Sequence, residues 1–182
     1  MFSIDATRYW WIWDDGKDDP TDHCLHGHVV VRIGDEIIEE NCTVSSTGLL
    51  LLRTLTEDHF MSGEVGNQML PNHGFNVYAA DASLTSVLLD GDPYGTDWQV
   101  THEGDQVILY TPKGTTDRVS LSDYREQVCR FCDEVEAYYQ SCQPKRFDEN
   151  DPYEATVLKP GFTALWNEWH RRRKEAGRIA LA

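Results

Sequence analysis

Ser122–Cys142, SDYREQVCRFCDEVEAYYQSC, is the stretch on which the reading of the fold turns. Tyr124, Val128, Phe131, Cys132, Val135, Tyr138, Tyr139 and Cys142 recur at steps of three and four over about six turns, which makes one apolar stripe on an amphipathic helix. Two capping arrangements are available at its start: Ser120 with Asp123, or Asp123 with Glu126. Glu126 and Arg130, four apart in the favourable order, would support the outer face by about 0.3 kcal/mol. A stripe of this length needs a surface to cover, and the segments around it supply one.

Immediately upstream, Asp97–His102, Gln106–Thr111 and Asp117–Leu121 are β-prone runs. Glu103-Gly104-Asp105 and Pro112-Lys113-Gly114-Thr115 separate them with turn-forming residues, so an antiparallel meander is expected. Nearer the N-terminus, Arg8–Trp13 reads as a first strand ending at Asp14-Asp15-Gly16. Leu25–Ile33 places Val29, Val31 and Ile33 on one face, and Gly34-Asp35 turns the chain into Ile37 and Ile38 as a hairpin. Ser45, Ser46 and Thr47 offer an N-cap for a buried helix over Thr47–Asp58. Leu49–Leu52 could equally be an interior strand, and Gly48 weakens the helix. His59–His73, with Gly63, Gly66 and Pro71, reads as loop; Asn76–Ala79 and Leu84–Leu89 read as short strands.

Gln143–Pro160 is a polar connecting segment with three prolines, too long for an ordinary link, and is expected to wrap across the surface. After it, Phe162, Leu165, Trp166 and Trp169 keep helical spacing, with Arg171–Lys174 near the end of that helix, where cations complement the helix dipole. Strands in hairpins and a meander, followed by two closing helices, specify an α+β fold. The long amphipathic helix packs on one face of an antiparallel sheet, a short C-terminal helix follows, and residues 1–182 form one domain.

The formal charge is −15, and it is uneven. From His170 onward five basic residues (Arg171, Arg172, Arg173, Lys174 and Arg178) face one acid, Glu175, so Met1–Trp169 holds 11 bases against 30 acids, a charge of −19. Such a body repels phosphate backbones and anionic membranes and attracts basic partners. Direct nucleic-acid binding is therefore not expected. No basic segment with an apolar run and cleavage site opens the chain, and no run approaches the roughly 20 apolar residues of a membrane span. Gly48–Leu52 is the most apolar run and is far shorter. Five cysteines without framework spacing read as reduced thiols, and the expected compartment is the cytoplasm.

Two clusters have ligand-like chemistry. Within His23–His28, an extended chain would project Cys24, His26 and His28 to one face as a three-ligand zinc set, although alternate positions on one strand are close to collinear. A metal-binding domain or metal-dependent enzyme built on this cluster is the alternative reading. Cys129-Arg130-Phe131-Cys132 has CxxC spacing but lies more than a turn inside the helix, beyond the end where the dipole would lower a thiol pKa, so Cys132 is expected in the core with Cys129 beside it. The aspartates after Asp14 miss the EF-hand positions. GxSxG, HExxH, P-loop and GxGxxG motifs do not occur, so no catalytic residue or cofactor is assigned; carboxylates near Trp98 and His102 would become catalytic only through folding.

The remaining signal is N-terminal. Trp11 and Trp13 stand directly before Asp14, Asp15, Asp18, Asp19 and Asp22, aromatic anchors beside acids, as a partner-binding patch requires. With Trp10-Trp11-Ile12-Trp13-Asp14-Asp15, the acid surplus and the Phe162–Trp169 helix, the chain resembles the immunity proteins of bacterial toxin systems. The resemblance implies non-catalytic binding to a protein with a basic surface, such as a nuclease toxin, by occlusion of its active site or an adjoining surface.

Overall fold

The computed structural model describes residues 1–61, 67–72, 76–91 and 94–177. Three strands, β1 (Phe2–Trp10), β2 (His26–Ile33) and β3 (Glu36–Thr43), form an antiparallel sheet in the order β1-β2-β3. The β2–β3 hairpin turns at Gly34-Asp35 as its sequence predicts; Ile33 pairs with Glu36, and Gly34 takes the positive φ of 58° that a side chain would oppose. Val29, Val31 and Ile33 are fully buried, together with Ile4 from β1. The first strand starts earlier than the Arg8–Trp13 reading and ends at Trp10, the last residue that pairs with β2.

Helix α1 (Val44–Arg53) follows β3 without a loop, three residues earlier than the Thr47 start and five short of the Asp58 end. Ser45, Ser46 and Thr47 are buried within its first turns, and the N-cap position falls to Thr43, which makes no side-chain capping bond. Every residue from Val44 to Leu52 is buried, so α1 is the innermost element. Gly48 is required there: a Cβ would stand 2.3 Å from the Trp169 ring, and the Gly48 carbonyl accepts the Cys132 thiol at 3.4 Å.

After α1 come the short strands β4 (Leu70–Pro71), β5 (Asn76–Ala79), β6 (Val87–Asp90) and β7 (Gly95–Thr96), paired as β4-β7 and β5-β6. The strand expected at Leu84 starts at Val87, because Asp81 turns the preceding chain by accepting from Ser83 N, Thr85 and Ser86 Oγ. Of the segment His59–His73 read as loop, residues 62–66 and 73 lie outside the described residues. The meander is as its turns predict: β8 (Gln99–Glu103), β9 (Gln106–Tyr110) and β10 (Thr116–Ser120) form a second antiparallel sheet in the order β10-β9-β8.

Helix α2 (Leu121–Ser141) follows, capped by Ser120, whose Oγ accepts Asp123 N at 3.0 Å. The stripe faces inward, with Tyr124, Val128, Phe131, Cys132 and Val135 buried against α1, β1 and the second sheet. Cys132 lies in the core and Cys129 at its edge, where burial raises both thiol pKa values and leaves them unreactive. Arg130 does not pair with Glu126; it reaches Asp5 at 2.9 Å, the Ile4 carbonyl at 2.7 Å and Glu134 at 3.1 Å, tying α2 to β1.

The polar connection Gln143–Pro160 ends in a π-helical turn (Glu154–Leu158) that runs directly into α3 (Lys159–Ala176). Pro160 stands in the first turn of α3, directly after the π-helical turn, where its missing N–H and ring interrupt the regular i→i−4 ladder. Gly161 lets α3 approach β5 so closely that a Cβ would stand 2.1 Å from the Val77 carbonyl oxygen. On the inner face of α3, Glu168 is 1% exposed and accepts from Arg53 Nε and a second Arg53 nitrogen, both at 2.9 Å, from Arg172 Nε at 2.8 Å and from Val87 N at 2.9 Å. Burial pushes this carboxyl up, but the Arg53 hydrogen bonds and charge, with Val87 N and Arg172, outweigh it and hold the pKa at about 2. The arginines of the basic run are paired: Arg171 with Glu175, Arg172 with Glu57 and Glu168, and Arg173 with Asp133. Arg178 lies outside the described residues.

Candidate partner-binding surface

Beyond Trp10 the chain leaves the sheet because its next donors have a partner elsewhere. Asp22 accepts Ile12 N at 2.7 Å through one carboxylate oxygen and Cys24 N at 2.9 Å through the other. Between these two ends, Asp14 N donates to the Trp11 carbonyl at 2.8 Å in a tight turn, and Asp14 adopts a positive φ of 46°, which aspartate tolerates better than most residues. In a continued strand Trp11 and Trp13 would share a face. The turn separates them: Trp11 is 2% exposed, whereas Ile12 is 61% and Trp13 76% exposed.

Trp11 therefore belongs to the core and cannot serve as a surface anchor. Its ring packs edge-on against Tyr139 at 5.3 Å, and Lys145 Nζ stands 3.1 Å from its centroid, a cation–π contact. The Lys145 side chain is 5% exposed, donates to the Asp19 carbonyl at 2.7 Å and lies 3.9 Å from Asp18. Burial lowers its pKa, opposed by the Asp18 carboxylate. Two backbone bonds complete the staple between the acidic loop and the connection after α2: Gln143 N to Asp18 at 2.6 Å and Arg146 N to the Pro20 carbonyl at 2.8 Å.

The five aspartates consequently divide. Asp18 and Asp22 hold the loop in place, and Asp19 closes a local turn by accepting Thr21 N and Oγ1. Asp14 and Asp15 stay close to half exposed beside Trp13, paired with Arg8 and Lys17. The surface available to a partner is the Ile12–Trp13 tip with Asp14 and Asp15, a smaller set than the seven residues Trp11, Trp13, Asp14, Asp15, Asp18, Asp19 and Asp22.

The three-ligand set in His23–His28 does not assemble. Among the described residues no group of three or more His, Cys, Asp or Glu side chains is placed to hold a metal ion. His26 stacks on Trp10 with ring centroids 6.1 Å apart, and His28 Nδ1 donates to Asn41 at 2.9 Å. His23 is buried against Phe147 with centroids 4.3 Å apart, and its Nε2 donates to the Arg146 carbonyl at 2.9 Å. Near Trp98, His59 donates to Asp97, which also takes Met69 N and Trp98 N, and His102 Nδ1 donates to Asp58. These carboxylates organise backbone, and His102 Nε2 is enclosed away from solvent.

One feature escapes the sequence reading. Where the end of α2, the segment after it and α3 meet, Tyr139, Phe162 and Trp166 line an open pocket of about 220 Å³, with Glu136, His170 and Lys145 also in its lining. Tyr139 and Phe162 stand at 81° and 76° to the Trp166 ring. Their helical spacing is that of core residues, so the stripes conceal a pocket; Phe162 and Trp166, four apart beside a polar connection, are the one local signal. All five cysteines are free thiols, and among the described residues no helix is long and apolar enough to cross a membrane. Comparison with family models, with curated proteins and with solved structures found no match to this chain.

Proposed function

We propose that this chain is a small acidic binding protein of the cytoplasm, an immunity-type inhibitor that occludes a basic partner such as a nuclease toxin. The observation that carries the reading is the Ile12–Trp13 tip: two large apolar side chains, 61% and 76% exposed, on a loop stapled at both ends and flanked by Asp14 and Asp15. An ordered loop loses little conformational freedom on binding, so an aromatic at its apex can act as a preorganised anchor. The charge of −19 over Met1–Trp169 supplies the long-range attraction that speeds encounter with a cationic surface. Free thiols at all five cysteines accord with a reducing compartment.

The test is association kinetics with the partner captured from the native cell. Raising salt from about 0.02 to 0.5 M is expected to slow association at least about tenfold. Trp13→Ala is expected to cost at least about 2 kcal/mol of affinity while leaving the unfolding midpoint unchanged. Equal association rates at the two salt concentrations would remove the electrostatic part of the proposal, and full affinity in Trp13→Ala would remove the tip.

A further inference from the structure

The pocket between α2 and α3 has the composition of a site for a cation. Tyr139, Phe162 and Trp166 form three walls, two of them close to perpendicular to the third, at centroid separations of 4.9 and 6.2 Å from Trp166. In such edge-to-face pairs the positive edge of one ring meets the negative face of the other, so it is the ring faces left open to the pocket that offer negative potential to a cation. Also lining the pocket, Glu136, whose side chain is 21% exposed, accepts Trp169 Nε1, His170 Nε2 and Gln140 Nε2, each at 3.1 Å. A carboxylate accepts about four hydrogen bonds, so Glu136 retains capacity for a further donor. Lys145, which also lines the pocket, does not fill this role: its ammonium is turned onto Trp11 and the Asp19 carbonyl, and lies 5.9 Å from the Tyr139 ring.

We infer that this pocket is a socket for one arginine side chain of a protein partner, with the guanidinium against the Trp166 ring and hydrogen-bonded to Glu136. Three arguments select that occupant. A volume of about 220 Å³ falls below the roughly 300 Å³ at which small-molecule sites begin, and suits a single side chain. The acidic body, −19 over Met1–Trp169, favours a cation over a neutral or anionic group. Guanidinium is planar, more weakly hydrated than ammonium and stacks on aromatic faces, so it can lie on a ring while giving one N–H to Glu136, where lysine uses mainly charge. The inference rests on the binding reading above and gives it a second contact, joined to the loop of the tip through Gln143 N on Asp18 and Lys145 on Trp11.

The test needs no partner. In the full chain labelled with nitrogen-15, the indole signal of Trp166, assigned by Trp166→Phe, is followed while N-acetyl-arginine methylamide is added. The Trp166 signal is expected to move saturably, while that of exposed Trp13 stays in place. The neutral citrulline analogue should bind about tenfold more weakly, and Glu136→Gln, which keeps the acceptor for Trp169, should weaken the arginine probe about as much. A Trp166 signal that stays still, a citrulline analogue that binds equally well, a lysine analogue that binds more tightly, or an unaltered response in Glu136→Gln would each overturn the assignment. Glu136→Gln counts only with the other indole signals in place; Trp166→Leu, losing arginine binding while retaining cooperative unfolding, is the second variant. Failure here with a salt-dependent, Trp13-dependent partner would remove the socket alone. Arginine binding in a protein whose partner ignores Trp13 would keep the socket and remove the tip.

Discussion

Glu168 and Asp22 each draw together donors from separated parts of the chain, in contrasting surroundings. Glu168 is 1% exposed and meets two arginines and one backbone amide from α1, α3 and β6. Asp22, only half-buried, meets two backbone amides, Ile12 N and Cys24 N, and no cation. The first arrangement joins elements whose positions are already fixed by apolar packing around α1. The second gives shape to a loop that has little packing of its own beyond Trp11. Acid in the interior is neutralised by the cations it holds, whereas Asp22 spends its carboxylate on backbone amides and leaves the more exposed charge of the loop to Asp14 and Asp15.

The largest effect should follow from breaking the interior arrangement. Glu168→Ala leaves Arg53 and Arg172 without their shared buried acceptor and Val87 N unpaired, and is expected to cost about 4 kcal/mol in urea unfolding at pH 7. A loss under about 1 kcal/mol would show that solvent replaces Glu168 and would erase the contrast with Asp22. The pH dependence has a definite sign. Because the folded pKa of Glu168 is held at about 2, below its ordinary 4.5, its stabilisation is present above pH 4.5 and disappears as pH falls towards 2. About 3 kcal/mol of the difference between wild type and Glu168→Ala should vanish across that window.

Trp11→Ala comes next, with an expected cost of about 3 kcal/mol. It removes a fully packed indole and strips the Lys145 ammonium of its nearest ring, leaving that cation with the Asp19 carbonyl, Asp18 and the more distant Tyr139 ring. Trp13→Ala, two residues away, should leave stability unchanged within about 0.5 kcal/mol. Similar losses at the two positions, measured by the same unfolding curves, would place Trp13 in the core and remove the tip as a surface.

The unequal fates of Trp11 and Trp13 also show where a sequence stops being readable. Tyr124, Val128, Phe131 and Val135 face inward because a helical period is a local property, and Ser120 and Gly34-Asp35 act within two or three residues of themselves. Those features could be read directly. Helix α1 was misplaced because residues buried on every side carry no period, and its limits are set by Trp169 above Gly48 and by the end of β3. Arg130 pairs with Glu134 rather than Glu126 and also reaches Asp5, 125 positions away, and Lys145 reaches Trp11 across a comparable separation. No spacing rule encodes contacts so distant in sequence. The proposed binding surface is legible as chemistry, tryptophan beside aspartate, but which tryptophan faces water depends on a carboxylate at Asp22 that looks like one more acid.

That carboxylate gives the smallest and most discriminating effect. Asp22→Ala should cost about 1–2 kcal/mol, since Ile12 N and Cys24 N lose an acceptor near the surface where water can partly replace it. Asp22→Asn separates geometry from charge. The amide keeps one acceptor oxygen but turns an NH2 group towards the other backbone N–H, so if the two bonds are what matter, Asn should be nearly as costly as Ala. If charge alone mattered, both variants, each lacking the carboxylate charge, would alter salt dependence alike and lose little stability. Loss of the Asp22 bonds should further quicken amide exchange at Ile12 and slow partner association, while the Glu168 cluster stays protected. An unaltered exchange rate at Ile12 in Asp22→Ala would mean that the Lys145 staple holds the loop without Asp22, placing the origin of the Trp11–Trp13 turn in cation–π packing rather than in hydrogen bonds.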